Sequence, residues 1–285
     1  MDEKAVIEAY EEKRKRVQEF NLTSDLFAGK VFEDILAAQE LCRILMQKPD
    51  LILRNVKTQY VIRNLESHSV QLDILAEEIN GSLISIELQM YKEAAPFRRT
   101  RYYTSCIDVS ILEKGKEYDE LPTVTVLYIT ATDFIGGKKG FYQIRRTVQE
   151  DGSVVGKNVD NGLCEKYFNL KYPTTDEKAN ELLNYLKDSD PFYQTEYFPR
   201  IVERVNYYKI QEEGVRVMCE IADRIRQEGK IEGKIESIME LLDELGKVPL
   251  KIVQRIQQET DLKVLSRWHK CAAVVSSISE FESKM

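Results

Sequence analysis

Two short segments constrain the fold of this chain more than any other feature: Val70-Gln71-Leu72-Asp73-Ile74-Leu75, and Ser82-Leu83-Ile84-Ser85-Ile86-Glu87-Leu88-Gln89. Both alternate with period two, which is the signature of strands, and the Asn80-Gly81 between them signals a two-residue hairpin. Alternation also assigns faces. Leu72, Ile74 and Ala76 share one face of the first strand, and Asp73 and Leu75 share the other. In the second strand Ile84, Ile86 and Leu88 form an apolar row, with Ser85, Glu87 and Gln89 opposite. An aspartate and a glutamate therefore sit inside otherwise hydrophobic strands joined by a tight turn. A carboxylate there is costly unless it is paired or metal-bound. The segment supports two readings. Asp73 and Glu87 are oxygen ligands for Mg²⁺, which binds through one or two carboxylates plus water and phosphate oxygens and can activate a water against a phosphodiester. Alternatively, they are solvent-facing residues of a half-exposed hairpin.

The surrounding sequence reads as an α/β domain. Residues 1–21 form a charged N-terminal helix. Thr23-Ser24-Asp25 supplies N-cap chemistry for an apolar, periodic stretch through Met46, one or two core-facing helices ending near Pro49. From Tyr60 the period becomes two, with Val61-Ile62 the first strand-like pair. Pro96 opens a helix of about 18 residues reaching Gly115, proline being tolerated in a first turn. Thr123–Ile129 is nearly continuously apolar, as in a strand buried at a sheet centre. Further strand-like pieces fall at 141–148, 153–158 and 165–170. Beyond Pro173 the pattern is helical to the end, with a break around Gly246–Pro249. The expectation is a core at 22–172, a mixed central sheet flanked by helices, followed by a helical region at 173–285.

Composition excludes several classes. No apolar run approaches the ~20 residues that span a bilayer, and the N-terminus starts charged, unlike a secretory signal. The five cysteines are scattered without a Cys-x-x-Cys pair, and only His68 and His269 are present, so zinc and His-rich sites are excluded. A cytoplasmic, reduced protein is expected. The net charge of −7 does not advertise nucleic-acid binding, although binding depends on local patches.

One such patch follows the hairpin. Residues 91–116 hold six Lys/Arg against three acids (Glu93, Asp108 and Glu113). Arg98, Arg101, Ser105 and Asp108 recur at helical spacing, so they share a face. Arginines beside Tyr102 and Tyr103 suit phosphate contacts and base stacking; a solvated face with Arg98 or Arg101 paired to Asp108 or Glu93 is the plainer alternative. A tyrosine nucleophile lacks its accompanying Arg/His set. Gly136-Gly137-Lys138-Lys139-Gly140 lacks Walker spacing and reads as a hairpin loop. Trp268 and His269 read as packing residues of a short amphipathic helix. Ile231, Ile235, Ile238, Leu242 and Leu245 make a heptad-like seam, which either packs on the chain itself or serves a homodimer through the C-terminal helices.

Several of these segments together resemble a known family. Gln71-Leu72-Asp73-Ile74, Ile86-Glu87-Leu88-Gln89-Met90, Phe97-Arg98-Arg99-Thr100-Arg101-Tyr102-Tyr103 and Leu112-Glu113-Lys114-Gly115-Lys116-Glu117-Tyr118 are similar to the Rpn/YhgA-like recombination-promoting nucleases, which are PD-(D/E)XK nuclease-family transposases. The resemblance covers roughly residues 22–170 and implies a restriction-endonuclease-like core. It assigns Asp73 and Glu87 as metal carboxylates and puts Gln89 where the wider superfamily has a catalytic lysine. Glutamine can orient a water or bind phosphate but cannot supply that charge. A further acid is expected from the first core helix: Glu40, with Glu33 and Asp34 as competitors. Arg98, Arg101 and Tyr102 are the expected DNA contacts, Arg101 favoured by its place before the Tyr-Tyr pair. The implied activity is a Mg²⁺-dependent endonuclease, with Mn²⁺ as a substitute, cutting double-stranded DNA in recombination, mobile elements or defence. The alternative is a catalytically inactive DNA-binding or protein-interaction module on the same fold.

Overall fold

The computed structural model describes residues 3–63, 69–92, 95–150, 153–158 and 160–285; His68 and Glu93 lie outside them. Two compact units are present, Met1–Val215 and Arg216–Met285. No helix among the described residues is long and apolar enough to cross a membrane. All five cysteines are free thiols.

The first unit opens with α1 (Glu3–Glu19), α2 (Asp25–Phe32) and α3 (Ile35–Met46). The apolar stretch to Met46 is thus two helices. Asp34 divides them: its side chain accepts from the Leu36 and Ala37 N–H groups at the start of α3, at 3.2 and 3.1 Å, satisfying donors the first turn leaves open. Gln47, at φ 57°, ends α3 in the left-handed region.

Three antiparallel strands follow: β1 (Leu53–Ile62), β2 (Val70–Glu78) and β3 (Leu83–Gln89). β1 begins seven residues before Tyr60 because its early part is half exposed and carries polar side chains that hide the period. The β2–β3 connection is not the two-residue turn that Asn80-Gly81 suggests. The Gly81 N–H donates to the Glu78 carbonyl at 2.9 Å and the Glu78 N–H to the Ser82 carbonyl at 2.8 Å. That pattern is a turn closed by a glycine bulge, and Gly81 supplies the required positive φ, 89°.

Helix α4 (Pro96–Ile111) crosses back after β3, ending before Gly115 because Leu112 is already extended. It leads through a short 3₁₀ turn, Tyr118–Glu120, to β4 (Val124–Thr130), every residue of which is buried. β5 (Phe141–Ile144), the separate ribbon β6 (Thr147–Glu150) with β7 (Ser153–Asn158), and β8 (Leu163–Asn169) complete the strands. The main sheet has the order β1-β2-β3-β4-β8-β5. β3, β4 and β8 are parallel neighbours, and the remaining pairs are antiparallel. This is a mixed six-stranded sheet with flanking helices. α2, α3 and α4 pack on β1, and Cys106 and Ile107 of α4 join Val70, Leu72, Leu83 and Val124 in one core. α5 (Glu177–Asp188), α6 (Pro199–Ile210) and the start of α7 (Glu212–Asp243) finish the unit.

The second unit contains the remainder of α7 with α8 (Leu250–Gln258), α9 (Leu262–Ala272) and α10 (Ile278–Lys284). Ile238 and Leu242, from the heptad-like seam, are fully buried in a core with Ile252, Ile256, Leu265, Trp268 and Phe281, and Ile231, Ile235 and Leu245 pack against it. Helices of the same chain cover the seam. Trp268 is a packing residue, with Arg255 stacked on its ring.

Candidate active site

Parallel pairing decides the environment of the hairpin carboxylates. A strand with neighbours on both edges and helices on its faces is buried on both sides. In β3 this encloses Ser85 and Glu87 as well as the apolar row, leaving Glu87 only 4% exposed. Glu87 is therefore not a solvent-facing residue, whereas Asp73 on β2 keeps intermediate exposure. The β2–β3 register pairs Ile74 with Ile86, and one further step brings Asp73 opposite Glu87. Across the parallel strands Glu87 lies level with Tyr128 and Tyr167. Two carboxylates thus meet on one sheet face, beside a layer of aromatic rings.

Each carboxylate has partial hydrogen-bond support. Asp73 accepts from the Leu88 N–H at 2.8 Å, a bond that reaches across to β3 and fixes its rotamer. Glu87 accepts at one oxygen from the Ser85 hydroxyl, 2.8 Å away, while its Oε2 is buried with no hydrogen-bond partner. An unpartnered buried carboxylate oxygen is expensive and calls for an explanation. Burial pushes the Asp73 carboxyl up to about 6; the Leu88 N–H opposes that rise, the negative charge of Asp25 adds to it, and Arg99 opposes it. Glu87 is held well above the usual glutamate range, first by burial and next by the charge of Asp73, with the Ser85 hydroxyl and Arg99 pulling it down. Like charges in a dry site raise each other in this way.

Two residues with a direct electrostatic role here differ from the sequence expectation. The acid of the first helices whose charge acts on both Asp73 and Glu87 is Asp25, at the start of α2, itself raised by burial. Glu40 is committed elsewhere. Its two oxygens accept from the Arg200 and Ile201 N–H groups, each at 3.0 Å, capping α6. Asp34 pairs with the Arg200 guanidinium, and Glu33 with Lys30 at 2.6 Å. The signal for Asp25 is its place as the acid that opens the first core helix, a place it shares with ordinary cap chemistry.

The second is Arg99. Its charge lowers Asp25, Asp73 and Glu87 alike, and its guanidinium lies 4.9 Å from the Tyr103 ring centroid. With Ser85, Glu87, Thr100 and Tyr103 it lines a void of about 10 Å³, room for a single water. Arg98, Arg101 and Tyr102, by contrast, form an exposed face with Ser105. Asp108, half-buried beside them, is raised by burial alone. Gln89, at the end of β3, turns its amide toward the Tyr91 carbonyl at 3.3 Å.

The donors suit a small, hard divalent cation. Asp73 and Glu87 offer oxygen only, from neighbouring strands, and one buried oxygen has no partner. Among the described residues no group of three or more His, Cys, Asp or Glu side chains is close enough to hold an ion. Asp73 and Glu87 are two facing carboxylates that fit such an ion, and Mg²⁺ commonly keeps water in its remaining positions.

A mixed sheet whose hairpin sets two facing carboxylates beside a parallel strand pair defines a protein of the PD-(D/E)XK nuclease class. Residues 34–183, more than half of the chain, match the family described as PD-(D/E)XK nuclease family transposase, and the chain belongs to that family. Asp25 precedes the matched segment. Comparison with curated proteins and with solved structures returns no significant match.

Proposed function

We propose that this protein is a divalent-metal-dependent endonuclease that hydrolyses phosphodiester bonds in double-stranded DNA, with Asp73 and Glu87 holding Mg²⁺ or Mn²⁺. The observation that carries the reading is the buried, unpartnered Oε2 of Glu87, a residue the strand register sets opposite Asp73. A bound cation compensates both carboxylates and, when present, lowers the pKa of its water and stabilises charge on the phosphodiester. The chain's own groups do the rest. The Leu88 N–H orients Asp73, and Ser85 orients Glu87. Arg99 supplies the fixed positive charge that neutral Gln89 lacks, acting in a water-poor site where it is weakly screened. Gln89 donates a hydrogen bond to a water or a phosphate oxygen. Arg98, Arg101 and Tyr102 contact the DNA backbone from the exposed face of α4.

The neutral Gln89 favours a second reading, a DNA-binding module on a nuclease fold that no longer cuts. Supercoiled plasmid incubated with Mg²⁺ or Mn²⁺ separates the two. Nicking by the wild type, absent in a folded Asp73→Ala variant, supports the enzyme. Intact plasmid, together with unchanged metal affinity in the variant, removes it.

A further inference from the structure

A second feature of the same sheet face is an open groove beyond the carboxylates. It is lined by Lys92, Phe97, Arg98, Asp133 and Phe134. The aromatic layer connects it to the candidate site. Tyr128 and Tyr167 lie level with Glu87 across the sheet, and Phe97 stands edge-on against Tyr167 and Phe134 at 5.2 and 5.3 Å. The Ala131 N–H donates to the Gln89 carbonyl at 3.2 Å, so the strand end leading into the groove is tied to the end of β3. Although it packs on two rings, Phe97 remains 45% exposed.

Lys92 and Arg98 bring positive charge to the groove. The acid at the rim, Asp133, is spent on its own loop. It accepts from the Gly136 N–H at 3.1 Å, the Lys138 N–H at 3.0 Å and the Tyr142 hydroxyl at 3.4 Å. Those bonds hold the Gly-Gly-Lys-Lys loop at the rim through Asp133, with Lys138 and Lys139 exposed on it; Lys92 and Arg98, which line the groove, are exposed as well. Two cations lining the groove beside an exposed aromatic ring, with two more on the loop tied to its rim, match the two parts of a nucleotide: phosphate for the cations and a base face for the ring. A paired base keeps its faces stacked inside the duplex, so only an unpaired base can use the ring.

We propose that this groove holds an unpaired nucleotide flanking the scissile position, its base stacked on Phe97 and its phosphates held by Lys92, Arg98 and the Lys138–Lys139 loop. The preferred substrate is then duplex DNA with a flap, loop or single-stranded end, rather than uniform duplex. This rests on the nuclease reading above and adds the substrate structure to it.

The test uses the full chain in metal-free buffer, which separates binding from cutting, and two duplexes of equal length. One is fully paired; the other carries an unpaired fluorescent adenine analogue. Tighter binding of the second, by about tenfold, with quenched fluorescence, is expected. Phe97→Ala abolishes the preference and the quench, while Phe97→Trp retains both. Lys138→Gln with Lys139→Gln, at exposed positions that do not threaten folding, weakens binding and flattens its salt dependence. Equal affinity for the two duplexes, or a preference that survives Phe97→Ala, overturns the groove assignment. If Mg²⁺-dependent nicking of plasmid persists in that case, the nuclease reading stands alone. If no DNA is bound or cut under any condition, the nuclease reading fails first.

Discussion

Replacing Asp73 by Asn separates the electrostatics of the site from its packing. Asp73 titrates near 6 in the folded protein against an ordinary 3.8. Below 3.8 the carboxyl is protonated in both folded and unfolded chains and contributes nothing to pH dependence. Between the two values the folded state keeps a proton that the unfolded state has released, so stability falls as pH rises. Above about 6 the whole difference is lost; the gap from 3.8 to about 6 corresponds to about 3 kcal/mol before allowing for residual solvent at the site. Asn is nearly isosteric, cannot ionise, and retains an oxygen for the Leu88 N–H. Metal-free Asp73→Asn should therefore be more stable than the wild type at pH 8 by about 2–3 kcal/mol, which raises Tm by roughly 4–12 °C for a unit of this size. The assay is thermal or urea unfolding in EDTA across pH 4–8, repeated with Mg²⁺. The gap should close toward pH 4. Added Mg²⁺ should stabilise the wild type by binding the folded state and leave the variant where it was. A variant that melts at or below the wild type at pH 8, with a gap insensitive to pH, would refute a strained, uncompensated carboxylate at Asp73.

Other outcomes follow from the same contacts. Glu40→Ala removes both acceptors for the first N–H groups of α6 and should cost about 1–3 kcal/mol in urea unfolding, with Mg²⁺ affinity unchanged by calorimetry. Arg99→Gln should cut the cleavage rate on the order of a hundredfold, and Arg99→Lys should restore part of it. Arg101→Gln should mainly reduce the slope of DNA affinity against salt by about one phosphate contact. Leu242→Ala should destabilise the C-terminal unit by about 2–5 kcal/mol without altering the molecular mass in solution, because its side chain is buried by helices of its own chain.

The sequence made the hairpin legible because apolar and polar residues alternate at Val70–Ile74 and Ile84–Gln89, and because an ionisable group inside an apolar strand is conspicuous. It was silent on the outer part of β1, where polar residues on an edge strand have little period to show. The half-exposed alternative at Glu87 could not be dismissed from pattern alone. Its burial comes from pairing with β4 and from the way α4 folds back over the sheet, neither of which a local pattern reports. The choice among Arg98, Arg99 and Arg101 has the same origin. All three lie within one helical turn, and only the seating of α4 on the sheet turns Arg99 toward the carboxylates. Glu40 illustrates the reverse error. A carboxylate ahead of an apolar run resembles a ligand until α6, 160 residues later in the chain, arrives to use both of its oxygens.

The central claim is that Asp73 and Glu87 form a metal site that cuts DNA. The most direct measurement is the single-turnover cleavage rate of supercoiled plasmid against Mn²⁺ concentration, for the wild type and Glu87→Gln at matched folded fractions. Saturable, metal-dependent nicking by the wild type is predicted, falling on the order of a hundredfold or more in the variant, as expected when several kcal/mol of charge stabilisation are lost. Cleavage by Glu87→Gln at the wild-type rate and metal dependence would contradict it.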